Sequence, residues 1–136
     1  MPNIFTERPR YEDTDAGEEW ILIDAVTCKV NLENPITKGP VTYITVPAKF
    51  KTNFASIPRI FWFIYGPTGK YNRAALVHDY LYTCQLYPKS WCDKAFLDLM
   101  DQSQIGPWTR YPIYYSVKFF GFFAFNGAKK ELLKNK

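Results

Sequence analysis

Residues 51–82 read KTNFASIPRIFWFIYGPTGKYNRAALVHDYLY, and the hydrophobic period changes within them. Upstream, Val41, Tyr43 and Thr45 alternate with Thr42, Ile44 and Val46, the two-residue period of a strand. Downstream, Ala74, Val77, His78, Leu81 and Cys84 recur at three- and four-residue steps, the period of a helix. Between them lie the breakers Gly66-Pro67. The stretch therefore divides the chain into a strand half and a helix half.

Working towards the N-terminus, Val41 to Phe50 reads as a strand, with Pro47 marking an edge or a bulge near its end. Asn31 to Pro40 reads as a turn, and Glu19 to Val30, rich in β-branched and aromatic residues, reads as another strand. Residues 1–17 are polar and turn-rich and read as an N-terminal arm. Working towards the C-terminus, a short aromatic helix is expected from about Pro58 to Tyr65, and a longer one from about Lys70 to Gln85. Tyr87-Pro88 ends the second. A third begins near Ser90, where Ser90-x-x-Asp93 has the form of a capping box, and stops at Gly106-Pro107. Pro112 is read as opening a last helix, IYYSVKFFGFFAFNG, with Asn126-Gly127 as its stop. Strands first and helices after specify an α+β fold, antiparallel strands followed by a small helical bundle. The 136 residues suit a single domain over residues 1–136, with residues 128–136 as a basic C-terminal tail.

The last helix is apolar on nearly every face, interrupted by Ser116 and Lys118. It falls short of the roughly twenty apolar residues a membrane span needs. Such a helix is either wrapped by the rest of the domain or covered within a larger assembly. In the second case Phe119, Phe120, Phe122 and Phe123 form the interface.

Charge is uneven. Residues 1–68 carry seven basic and eight acidic groups, whereas residues 69–136 carry ten basic and five acidic. The closing KKELLKNK has no arginine and reads as a solvated helix end, which argues against a nucleic-acid contact. The three cysteines show no C-x-x-C spacing, so neither a disulfide framework nor a cysteine-rich zinc site is expected. The first ten residues, MPNIFTERPR, lack the apolar run of a secretory signal. No phosphate-cradling glycine loop is present, and no cofactor is expected.

The chain has one histidine, His78, so any proton chemistry near neutral pH points to it. It lies on the apolar stripe of its helix, where a histidine is ordinarily a hydrogen-bonded core residue. The short connection after this helix makes the next one an antiparallel neighbour and brings Asp93 within about a turn of His78. Asp93 then either closes the capping box or orients the imidazole, the arrangement of an acid–base site. Asp79 points roughly 100° away from His78 on the helix and can equally form a structural ion pair with Arg73 or Lys94. Thr52, Asn53, Ser56 and Arg59 make a polar cluster just upstream. A metal reading would gather His78, Asp79 or Asp93 with Asn53, but a lone histidine makes a poor zinc set. Ser56 lacks the glycines of a nucleophile elbow and reads as a cap or turn hydroxyl.

The blocks TNFASIPR and HDYLY, followed by DKAFLDLM and TRYPIYYSVKFFG, resemble a phage and prophage family known as domain of unknown function 1353 (DUF1353) over about residues 41–126. The family's usual first block is Thr-Asp-Phe-Ala-Ser, and this chain has Asn53 in place of the acid; the HDYLY block and Asp93 match. The resemblance implies a phage genome and a place near the virion genes, with tail-associated and cell-wall-degrading roles among its candidates. Two functions follow as expectations. One is a virion structural component of the tail or its attachment region, made in the host cytoplasm and working by packing on other virion proteins. The other is a peptidoglycan hydrolase built on His78, Asp93 and Asp79 and helped by Thr52, Ser56 and Arg59, with Asn53 as its missing acid.

Overall fold

The computed structural model describes residues 11–13, 20–52 and 72–134. The strands are β1 (Tyr11–Asp13), β2 (Trp20–Leu22), β3 (Val26–Val30), β4 (Thr42–Val46) and β5 (Lys51–Thr52). The helices are α1 (Asn72–Cys84), α2 (Lys89–Gln102), α3 (Pro107–Phe120) and α4 (Phe122–Lys134). The class is α+β, as the period change implies. The aromatic helix expected over about 58–65 lies outside the described residues.

Two small antiparallel sheets form, with orders β1-β2-β5 and β3-β4. The β3-β4 pair sets Val26 opposite Val46, Cys28 opposite Ile44 and Val30 opposite Thr42. Those residues point inward apart from half-buried Val26, while Thr27 and Thr45 share a hydroxyl bond of 2.9 Å on the outer face. The turn between them closes as an Asx turn: Asn34 Oδ1 accepts the amides of Ile36 and Thr37, and Lys38 takes the left-handed φ of 62°.

Both long strand expectations break in two. Glu19–Val30 bends at Ile23 and Asp24, so that β2 joins one sheet and β3 the other. Val41–Phe50 ends at Val46, and a turn with Lys49 at φ 71° delivers the chain to β5. The amide of Leu22 donates to Phe50 O, and that of Lys49 to Leu22 O, locking the switch. Pro47 stands at this turn, where a missing N–H costs no ladder bond. Tyr11–Asp13, read as part of an arm, pairs with β2.

α1 is buried more widely than its stripe: Ala74, Ala75, Leu76, Val77, Leu81 and Tyr82 all join the core. α2 packs on it through Cys92, Ala95, Phe96, Leu99 and Met100. Polar bonds tie α2 to the strands: Trp91 Nε1 donates to Glu33 O, Gln102 Nε2 to Lys29 O, and the Asn31 amide to Asp98 Oδ2.

The last expected helix is corrected. Pro107, not Pro112, stands in the first turn, and Pro112 lies inside α3, where it has no N–H to give the Trp108 carbonyl. The helix breaks at Gly121 rather than at Asn126-Gly127, which sits within α4. The wrapped reading is corrected too. α3 buries Ile113, Tyr114 and Val117 along one side, and α4 has no buried residue. The basic end, read as a tail from residue 128, is helical to Lys134. No helix among the described residues is long and apolar enough to cross a membrane.

Candidate functional site

His78 and Tyr82 are one helical turn apart on α1, so both reach the same neighbour on α2. That neighbour is Asp93. Its Oδ1 lies 2.9 Å from His78 Nε2 and accepts the Tyr82 hydroxyl at 2.6 Å, while its Oδ2 accepts Lys89 Nζ at 2.7 Å. Asp93 is therefore not spent on a capping box. The residue preceding α2 is Pro88, and no side chain caps the helix. An ionised carboxylate only accepts, so Nε2 is the protonated ring nitrogen here.

Lys89 extends the cluster to a third helix. Its ammonium also donates to Val117 O at 3.0 Å and Lys118 O at 3.1 Å, satisfying carbonyls in the last turn of α3. Its three donors are thus divided between Asp93 and the end of α3. Gly121 then lets the chain turn over this knot. A Cβ there would run into the Val117 carbonyl oxygen and sit 2.6 Å from the Tyr82 hydroxyl, so the close approach requires glycine. Phe125 of α4 packs edge-on to Tyr82 at 5.2 Å, and Gln85 Nε2 donates to Phe125 O.

The site is dry. His78 is 0% exposed and Asp93 1%. The imidazole lies 4.6 Å from the Phe96 ring, stacked, and 4.2 Å from that of Tyr82. Burial alone would raise the Asp93 pKa, but the bond and charge of His78 and the bonds of Lys89 and Tyr82 outweigh it and hold the carboxyl below its ordinary range. Burial, then the charge of Asp93 and the bond to it, push Tyr82 far above the usual phenol range. The arrangement is a carboxylate compensated by three donors, with a ring and an ammonium where a metal would bring its charge. Among the described residues no group of three or more His, Cys, Asp and Glu could hold a metal ion.

The other expected residues fall elsewhere. Asp79 turns to Thr52, whose hydroxyl donates to its Oδ2 at 2.6 Å, a buried bond tying β5 to α1. His78 and Asp79 thus serve different partners, as their angle on the helix implies. Asn53, Ser56 and Arg59 lie outside the described residues. The thiols are free, and burial pushes Cys28 and Cys92 up to about 12, far from the thiolate a nucleophile needs. Lys89 and Tyr82 were missed in the sequence. The signal was there, because Lys89-Asp93 and His78-Tyr82 are both four-residue spacings.

A second region is the reverse of the first. Trp108 is 94% exposed, Phe119 62%, Phe120 67%, Phe122 43% and Phe123 71%. Tyr111 and Tyr115 are also exposed, and with Trp108 and Phe119 they line the side of α3 opposite its buried face. The rings of Tyr111, Tyr115 and Phe119 follow one another at 6.4 and 6.3 Å. Pro107, Trp108, Tyr111, Pro112 and Tyr115 enclose an open groove of about 460 Å³. Lys118 lies within about 6 Å of the ring centres of Tyr114, Tyr115 and Phe119.

The family described as "protein of unknown function (DUF1353)" matches residues 29–117, well over half of the chain, and the protein belongs to it. The match takes in the end of β3, then β4, β5, α1, α2 and most of α3, and with them the whole His78–Asp93–Lys89–Tyr82 cluster. No curated protein and no solved structure matches the chain.

Proposed function

We propose that this protein is a bacteriophage virion component, of the tail or its attachment region, that acts by packing against other virion proteins. The observation that carries the packing role is the contrast between an enclosed histidine and an open aromatic face. A hydrolase must bring a substrate strand within hydrogen-bond reach of its base. His78 instead stacks on Phe96 and donates its Nε2–H to Asp93 Oδ1 in a hydrogen bond. An exposed aromatic face of this extent marks a surface that is covered in use. The phage setting is supported by the resemblance of the TNFASIPR and HDYLY blocks, and the virion follows from it as the place of action.

Mass spectrometry of purified particles of the encoding phage tests the reading. The chain is expected in stoichiometric amounts, and its absence from particles would overturn the proposal. The 2.9 Å His78–Asp93 pair favours a second reading, a cell-wall hydrolase. Dye release from purified sacculi separates the two. No hydrolysis is expected from the isolated chain. Activity lost in a folded His78→Ala variant would reverse the order of the readings, and activity in Asn53→Asp alone would identify a lapsed enzyme kept for its shape.

A further inference from the structure

The aromatic surface continues past Gly121 onto α4, where its chemistry changes. α4 is lightly docked. None of its residues is buried, and the half-buried Ala124, Phe125 and Ala128 mark its inner side. Phe125 sits against Tyr82, and its carbonyl accepts Gln85 Nε2. At 3.6 residues per turn, positions four, seven and eleven apart share a face. Phe122, Asn126, Lys129 and Leu133 therefore form one stripe, and Phe123, Lys130 and Lys134 form the stripe beside it. All of these are exposed, opposite the inner side. The rings of Phe122 and Phe123 meet at 4.1 Å. Glu131, the one acid of α4, lies outside both stripes.

The outer side of α4 thus interleaves Phe122, Phe123 and Leu133 with Lys129, Lys130 and Lys134. Its occupant must take up apolar side chains and carry negative charge in the same plane. A nucleic acid offers phosphates to lysines, but it receives polar side chains rather than exposed phenylalanines. A protein would need an acid set beside each apolar pocket, or the lysines would be buried unpaired. An anionic bilayer needs no such registry. Its headgroups present negative charge above a hydrocarbon layer, and lysine stems are long enough to keep the ammonium at the headgroups while neighbouring rings enter. α4 has 13 residues, short of the roughly twenty that span a bilayer, which leaves the interface as the place for it.

We propose that α4 binds the surface of an anionic lipid bilayer. The helix lies in the interface, with Phe122, Phe123 and Leu133 inserted and Lys129, Lys130 and Lys134 at the headgroups. The inference goes beyond the packing role proposed above and holds or fails separately from it.

Flotation of the full chain with vesicles of phosphatidylglycerol and phosphatidylcholine in equal parts is the first measurement. The chain should float with these vesicles at low salt, at least about tenfold less with phosphatidylcholine alone, and less again as salt screens the lysines. Failure to float with the anionic vesicles would overturn the inference, and the packing role would stand if the same chain is found in particles. Flotation of a chain absent from particles would uphold the inference and remove the virion reading.

Variants then assign the contact to α4. The double variant Lys129→Glu, Lys130→Glu and the double variant Phe122→Ser, Phe123→Ser are each expected to lower the vesicle partition coefficient at least about tenfold. The double variant Lys29→Glu, Lys51→Glu makes the same change in net charge at exposed positions on β3 and β5, and it should lower partition far less. Equal loss in the two lysine pairs would mean that net charge alone drives binding. Loss in the α4 lysine pair without loss in the phenylalanine pair would mean that the rings do not insert. Either result would overturn the inference. Loss of binding to a virion protein, with vesicle binding intact, in the α4 variants would overturn it in favour of a protein partner. Circular dichroism reports the fold of each variant.

Discussion

Two regions at opposite sides of α3 invert the usual distribution of polarity. On its inner side, the last-turn carbonyls meet the ammonium of Lys89, which also holds Asp93, and Asp93 in turn holds His78 and Tyr82. On its outer side, Trp108, Tyr111, Tyr115 and Phe119 face water. A small domain ordinarily hides aromatics and exposes charges. Here the buried polar groups have a task that apolar residues cannot perform. They fix α1, α2 and the end of α3 to one another through directional bonds, whereas apolar packing alone permits sliding. The exposed aromatics are not part of the core that the described residues form. The knot therefore serves shape, and the face is the surface proposed for contact.

The largest expected effect breaks the knot at its centre. Asp93→Ala leaves a buried imidazole, a phenol and an ammonium without their shared acceptor. It should destabilise the fold by about 3–5 kcal/mol, the scale for removing one partner of a buried ion pair. Denaturant unfolding checks this. A cost under about 1 kcal/mol would mean that the cluster does not hold the helices together.

Gly121→Ala tests the closeness of the α3–α4 corner to the knot. The new methyl would meet the Val117 carbonyl oxygen, which holds Lys89, and then the Tyr82 hydroxyl, which cannot yield without losing Asp93. A loss of about 1–3 kcal/mol is expected. A gain, the usual result of adding Ala to a helical backbone, would show that the corner has room.

Much of this was legible in the sequence. The period change within 51–82 gave strands before helices, and the stripe of Ala74, Val77, His78 and Leu81 placed the histidine inward. The short connection at Tyr87-Pro88 placed Asp93 beside it. Three things were not legible. The strands Glu19–Val30 and Val41–Phe50 each divide because the chain changes sheets, and β propensity does not record which sheet a residue joins. Asp93 fits a capping box by spacing alone, but a carboxylate facing three buried donors is held more strongly than one facing a helix amide. The run from Ile113 to Gly127 reads as one apolar helix, because its composition does not mark the break at Gly121, where the chain passes close to Tyr82 of another helix.

Acid should weaken the knot selectively. The Asp93 carboxyl is held below its ordinary value, so its bonds add stability above the ordinary carboxylate range. That contribution is lost as pH falls through 3.8 and on through the lower folded value. A plot of unfolding free energy against pH should be flatter in Asp93→Ala than in the native chain below about pH 4. Parallel curves would show that Asp93 is not held as described.

The smallest effect on stability belongs to the outer face. Phe119→Ser and Phe123→Ser should change unfolding free energy by no more than about 0.5 kcal/mol, as surface positions do. Under the proposed packing role, both should nonetheless reduce association with a partner chain. A large loss of stability would place these rings in the core instead.

The account depends most on the enclosure of His78, and the chain's single histidine allows that to be measured without ambiguity. Diethyl pyrocarbonate acylates accessible imidazoles, and the ultraviolet absorbance of the acylated ring reports the reaction. In the native protein His78 should remain unmodified until denaturant unfolds the chain, with modification following the unfolding curve. Rapid acylation of the fully folded protein would show that the ring opens to solvent, and would contradict the structural role assigned to the His78–Asp93 pair.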